Sequence, residues 1–313
     1  MKWLIATGKR IFLISFVFSH LTHCVLGQIM DSADLSGGGI FSPGLKAVMI
    51  DSGFSFTEGP AVDKKGNIYF TDQPNNKIWK YDTDGRLSVF LENAGRSNGM
   101  YFDAKGNLIS CADEHDQLWS VDPKGNITVL VKDYHGHLLN GPNDLWIDPG
   151  GGIYITDPYF QRDYWTRKEA DTALGGEKVY YLPPGKTELV LADSETVKPN
   201  GIIGTPDGKF LYVADMGKWK TYRYEINKDG TLKNKQVFVN EASDGMTIDS
   251  RGDIYLTGKG VTVYNPEGKK IAHINIPEKW TANICFGGQD RRILFITASK
   301  SIYVMPTLVK GVE

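Results

Sequence analysis

Ser243-Asp244-Gly245-Met246-Thr247-Ile248-Asp249 is one of six similar segments in this chain of 313 residues. In order they read TEGPAVD from Thr57, SNGMYFD from Ser97, PNDLWID from Pro142, PNGIIGT from Pro199, SDGMTID from Ser243 and TANICFG from Thr281. Aligned, they place Glu58, Asn98, Asn143, Asn200, Asp244 and Asn283 at one position, the last standing one place late. All six side chains carry an oxygen. They are 40, 45, 57, 44 and 39 residues apart, and a period of roughly 40–50 residues marks propeller blades or similar arrays.

Each head segment is followed by a Gly-containing or tight turn and a β-rich run, such as GNIYFTD, GGIYITD and GDIYLTG. A third run follows (KIWKYD, QLWSVD, KVYYLP), then a fourth (SVFLEN, TVLVKD, ELVLAD). Alternating apolar and β-branched residues bounded by Gly, Asp and Pro read as strands. Six repeats of four strands predict an all-β, six-bladed propeller with four antiparallel strands per blade. The sixth repeat lacks its fourth strand, while LKAVMID at 45–51 has that pattern and precedes the first head. The N-terminal strand is expected to close the ring and cover an otherwise open sheet edge.

Residues 1–27 read as a secretory signal. Lys9 and Arg10 precede the apolar run IFLISFVF, and Val25-Leu26-Gly27 resembles a small-residue cleavage site. The run is too short for a spanning helix, and His23 does not suit a lipid attachment signal at Cys24. An exported protein, periplasmic or secreted, is expected, without stable membrane insertion after cleavage. Residues 28–44 read as a flexible lead-in, and 45–313 as the propeller. The signal holds three basic residues and no acid, so the net charge of −2 becomes about −5 in the remainder. No basic stripe points to nucleic acid. Cys111 and Cys285 fall on strands of non-adjacent blades and are expected to be buried thiols.

The innermost strand of each blade lines the channel, so the aligned head residues surround its axis. Two carboxylates facing one another in a confined site are costly unless a cation lies between them. With amide oxygens beside them they form a hard-oxygen set suited to Ca²⁺ or Mg²⁺. No Cys or His stands at a head, which disfavours a tetrahedral structural zinc. Asp72, Asp113, Asp157 and Asp215, at the second-strand ends, are expected to cap turns. The insertion at 158–176, after Asp157, lies on the head side and is a candidate lid. It is rich in aromatic residues.

The chain resembles the regucalcin/gluconolactonase (senescence marker protein-like) family, gluconolactonase branch, over residues 45–309. The resemblance is carried by FTEGP at 56–60, LNGPNDL at 139–145, TDPYF at 156–160, KPNGI at 198–202, SDGMTID at 243–249 and IPEKWTANICFGG at 276–288. It implies a divalent metal, Ca²⁺ first, with Mg²⁺, Mn²⁺ or Zn²⁺ as alternatives, held by Glu58, Asn143, Asn200 and Asp244. It also implies that Asp244 is the catalytic base. Asn98, Asn143, His137 and Tyr159 are the substrate-contact candidates. In gluconolactonase-like sequences a basic residue often stands where His137 is, which leaves the substrate preference open. The implied activity is metal-dependent opening of a small-molecule lactone, of the gluconolactone type, by activated water. The alternatives are hydrolysis of other lactones, esters or phosphotriesters at the same site, or a non-catalytic calcium- or sugar-binding propeller. No G-x-S-x-G elbow is present for a serine mechanism.

Overall fold

A computed structural model describes residues 39–312. The calls on the signal segment and on most of the lead-in lie outside the described residues. The described chain forms six four-stranded antiparallel sheets. Their innermost strands are Thr57–Val62, Ser97–Phe102, Leu145–Ile147, Pro199–Gly204, Met246–Ile248 and Asn283–Gly287. Each inner strand contacts the next, and the last contacts the first, so the ring closes. The second strands, such as Ile68–Asp72 and Ile153–Asp157, are buried along their whole length because inner strands, outer strands and the neighbouring blade all pack on them.

The closing strand is Val48–Ser52, paired antiparallel with Ser301–Pro306 from Val48↔Val304 to Ser52↔Ser301. The start is later than 45, and a bulge lies between Met49 and Asp51. The lead-in boundary also moves. Ile40 and Phe41, inside the stretch read as flexible, are buried against Phe286, Ile296 and Met305 of the last blade. The Ile40 carbonyl accepts from the Leu308 amide at 2.6 Å. Two large apolar residues outweigh the polar, glycine-rich composition around them. Cys111 and Cys285 are buried in the second and sixth blades and are not joined to each other.

The heads depart from regular pairing in a repeated way. Register shifts fall between Glu58 and Ala61, Ser97 and Met100, and Pro199 and Ile202. In blades three and five the inner strand begins only after its head. Backbone groups that leave the ladder need other partners, and the Thr of the second strand supplies them. Thr156 Oγ1 accepts from the Asp144 amide at 3.1 Å, Thr257 Oγ1 from Gly245 at 2.8 Å and Thr297 Oγ1 from Asn283 at 3.0 Å. Released from the ladder but still tethered, the head residues are free to turn towards the axis.

Candidate metal centre in the channel

Those threonine contacts define which residues are structurally equivalent. Asp144, Gly245 and Asn283 all donate their amide to the same Thr position, so Asn283 is the equivalent of Gly245 rather than of Asp244. Ala282 holds the sixth ring position. The five ring residues that carry side-chain oxygens are therefore Glu58, Asn98, Asn143, Asn200 and Asp244. The first four are at most 5% exposed, and Asp244 is partly exposed.

The position after each ring residue is Gly in four heads, Asp144 in the third and Asn283 in the sixth. A Cβ at Gly99 would come within 2.3 Å of Asp144 Oδ1, and one at Gly245 within 2.0 Å of Asn283 Cγ. The glycines make room for these two side chains. Blades three and six face each other in a ring of six, so the 3.3 Å bond from Asn283 Nδ2 to Asp144 Oδ2 crosses the channel. Alignment by residue type missed Asp144; the available signal was the break in the Gly pattern at PND.

Asp244 is held at both oxygens. Asn200 Nδ2 donates to Oδ1 at 2.8 Å, and Trp280 Nε1 donates to Oδ2 at 2.6 Å. In sequence Trp280 is only one residue of IPEKWTANICFGG; nothing in a loop tryptophan announces a carboxylate partner from another blade. Because a carboxylate only accepts, the Asn200 amide must turn its nitrogen to Asp244. That leaves Asn200 Oδ1 buried with no hydrogen-bond partner. An unsatisfied buried acceptor costs about 1–3 kcal/mol, and a cation at the centre of the ring would remove that cost.

The carboxylates show the same need. Burial pushes the pKa of Glu58 well above its ordinary value, and the charges of Asp244 and Asp144 push it further. The Gly59 amide and the Asn283 side chain oppose the shift. Burial likewise raises Asp244, to about 6, against the Trp280 and Asn200 hydrogen bonds and the charge of Arg162. Among the described residues no three His, Cys, Asp or Glu side chains form a metal cluster by themselves. Amide oxygens must complete any shell, which is the donor chemistry of a hard divalent cation. The residues present thus fit such an ion, and Glu58, Asn143, Asn200 and Asp244 are the candidates to hold it.

The terminal aspartates divide. Asp72 accepts from the amides of Ser55 and Phe56, Asp157 from Asn140 and Gly141, and Asp215 from Val197 and Lys198. Each caps the chain entering its own blade. Asp113 does not. Its Oδ2 accepts from Gln73 Nε2 at 3.1 Å, Arg162 Nε at 2.8 Å and the Tyr164 hydroxyl, while its carbonyl accepts from Trp165 Nε1 at 3.1 Å. It anchors the 158–176 insertion to blade two. Arg167 adds a contact to Asp116 Oδ1 at 2.5 Å and lies 3.9 Å over the Trp165 ring.

His137 Nδ1 pairs with Asp171 Oδ2 of the insertion at 3.0 Å, and its side chain is 46% exposed. The tight Tyr134–His137 bridge turns it outward. Tyr159 is half-buried in the insertion, its hydroxyl donating to Gln161 Oε1 at 2.5 Å and its carbonyl accepting from Lys198 Nζ at 2.8 Å.

A family model described as the SMP-30/gluconolactonase/LRE-like region matches residues 56–300. A gluconolactonase from Zymomonas mobilis is 28% identical over 87% of this chain and 86% of its own length. Among solved structures, a gluconolactonase from Xanthomonas campestris superposes with a TM-score of 0.78 at 27% identity, over 88% of this chain and 91% of that one. A calcium-binding regucalcin from Agrobacterium tumefaciens superposes at 0.72, over 85% and 95% of the two chains; at 20% identity that likeness shows the fold alone.

Proposed function

The chain belongs to the SMP-30/gluconolactonase/LRE-like family, and from that premise we propose that it is a metal-dependent lactonase. The bond opened is the cyclic carboxylic ester of a small sugar lactone of the gluconolactone type. The reading is supported by gluconolactonase relatives over most of the chain. The observation that carries it to chemistry is the pairing of a doubly held Asp244 with the orphaned Asn200 Oδ1 beside it.

Glu58, Asn143, Asn200 and Asp244 would hold a divalent cation, which when bound would supply Lewis acidity to a carbonyl oxygen and charge balance to the carboxylates. Ca²⁺ is the expected ion, because it takes carboxylate and amide oxygens directly, whereas Mg²⁺ usually keeps several waters. Asp244 takes the proton from the water that attacks the acyl carbon. The Asn200 and Trp280 donors fix its orientation for the transfer. The ring C–O bond breaks, the ring oxygen leaves as a hydroxyl carrying a proton, and the product is the open hydroxy acid. Asn98 and Asn143 line the same ring and would orient the lactone by hydrogen bonds.

Chelation is the direct test. Stripping divalent ions is expected to abolish lactone opening and to lower the melting temperature, since an ion that binds only the folded state stabilises it by mass action. Adding back Ca²⁺, Mg²⁺, Mn²⁺ and Zn²⁺ one at a time identifies the working ion. Full activity and unchanged melting in ion-free protein would reject the metal reading. A metal-restored melting point with no hydrolysis of any lactone would leave a binding propeller instead.

Export is part of the same proposal, resting on Lys9, Arg10 and the apolar run that follows. Expressed with its own N-terminus in a bacterial host, the protein is expected outside the cytoplasm and starting at Gln28. An uncut chain retained in the cytoplasm would reject export.

A further inference from the structure

The 158–176 insertion is rooted in blade three, after Asp157, and reaches both neighbouring blades. Towards blade two it lays Arg162, Tyr164 and Trp165 on Asp113. Towards blade four, Lys198 Nζ lies 4.6 Å from the Phe160 ring centroid and donates to the Tyr159 carbonyl. Lys198 is two residues before Asn200. Asp113 directly follows Ala112, which pairs with Ser97, the neighbour of Asn98. The insertion therefore runs along the rim of the channel beside Asn98, Asn143 and Asn200.

We infer that Arg162 is the residue through which this insertion selects substrate, by offering its guanidinium to the hydroxyl groups of a neutral, polyhydroxylated lactone at the channel mouth. Its anchorage is one-sided: Nε is bonded to Asp113, and the guanidinium lies towards the Phe160 ring, with 5.7 Å from its carbon to the ring centroid. A guanidinium has five N–H donors in a rigid fork, and most remain for a ligand. The side chain is 22% exposed, so they are accessible. Its charge is matched by Asp113, whose side chain is 2% exposed. At the rim the insertion thus carries a donor fork whose charge is largely balanced, which suits hydroxyls better than an anion.

This inference rests on the lactonase reading, and the experiment keeps the two apart. Arg162→Met and Arg162→Lys are compared with wild type on D-glucono-δ-lactone, unsubstituted δ-valerolactone and a gluconolactone phosphorylated at its far end. Arg162→Met is expected to lower kcat/KM for gluconolactone at least ~10-fold more than for δ-valerolactone, mainly through KM, with Arg162→Lys intermediate. Because Arg162→Met strands the buried Asp113 carboxylate, the double variant Asp113→Asn/Arg162→Met is measured beside it and should show the same preference change. Equal losses on gluconolactone and δ-valerolactone in the double variant, or none, would overturn the inference. A loss falling chiefly on the phosphorylated lactone would overturn it in favour of an anion receptor. If wild type opens none of the three, the lactonase reading fails. Arg162 is then judged by calorimetric binding of the non-hydrolysable sugar lactam, which the inference requires to weaken at least ~10-fold in both methionine variants.

Discussion

Asp244→Asn is expected to lower kcat by roughly two to four orders of magnitude, the usual worth of a general base, with little loss of fold. The substitution keeps the size of the side chain and one oxygen. It removes the negative charge and the capacity to take a proton. It also sets an amide N–H₂ against one of two donors, the Asn200 amide at 2.8 Å or the Trp280 indole at 2.6 Å. Glu58→Gln tests the other carboxylate. Glu58 is buried, bonded by the Gly59 amide at 2.9 Å, and its proton affinity is raised by burial and by Asp244. With one buried negative charge removed, its loss should appear as weaker metal binding, and saturating metal should restore much of its rate. Asp244→Asn should not be rescued in this way.

Trp280→Phe belongs in the same series. It removes one donor to a charged group, worth about 1.5–3 kcal/mol, so kcat should fall by roughly 10- to 100-fold while KM changes little. The measurement is kcat against free metal concentration for the three variants, with metal content determined directly. Recovery of Asp244→Asn at saturating metal would reduce Asp244 to a ligand, and the proton acceptor would have to be sought elsewhere in the channel.

Removing the N-terminal closing strand should have an equally large effect on the fold. A chain starting at Gly53 loses the strand Val48–Ser52 and leaves Ser301–Pro306 as an open edge. It also loses Ile40 and Phe41, both buried against the last blade. Two such side chains are worth about 3–6 kcal/mol, and the ladder hydrogen bonds add to that. Against a typical total stability of about 5–15 kcal/mol, this loss should leave protein that aggregates or melts far below the parent. A chain starting at Gly39 keeps all of these contacts and should melt as the parent does. Thermal melting and size-exclusion of the two truncations check this. Equal behaviour would mean that the sixth blade is stable with three strands.

Periodicity carried most of this architecture. Six heads at near-constant spacing, each followed by runs with a period of two, announce a propeller because that pattern reflects local strand geometry repeated in one dimension. The ring of oxygens followed from the same alignment, since equivalent positions on inner strands must face one axis. The missing last strand was legible too, as a deficit at one end and a surplus at the other. Ile40 and Phe41 were not, because two apolar residues in a glycine-rich stretch show no period, and only the groove on the last blade gives them a place.

What the tertiary structure decided is which side chains meet across blades. The bond from Asn283 to Asp144 joins residues 139 positions apart in sequence. Trp280 reaches Asp244 from a loop of another blade. Asp113 carries the same sequence signature as Asp72, Asp157 and Asp215, yet it serves the insertion of its neighbour instead of its own turn. His137 stands where a substrate contact was expected and is drawn to Asp171. Such contacts depend on how a bulged strand, a turn and a 19-residue insertion pack around one another, and on which buried charge each donor can reach. Strand periodicity is written locally along the chain, whereas the pairing of isolated polar side chains is settled by desolvation, only after the blades have closed into a ring.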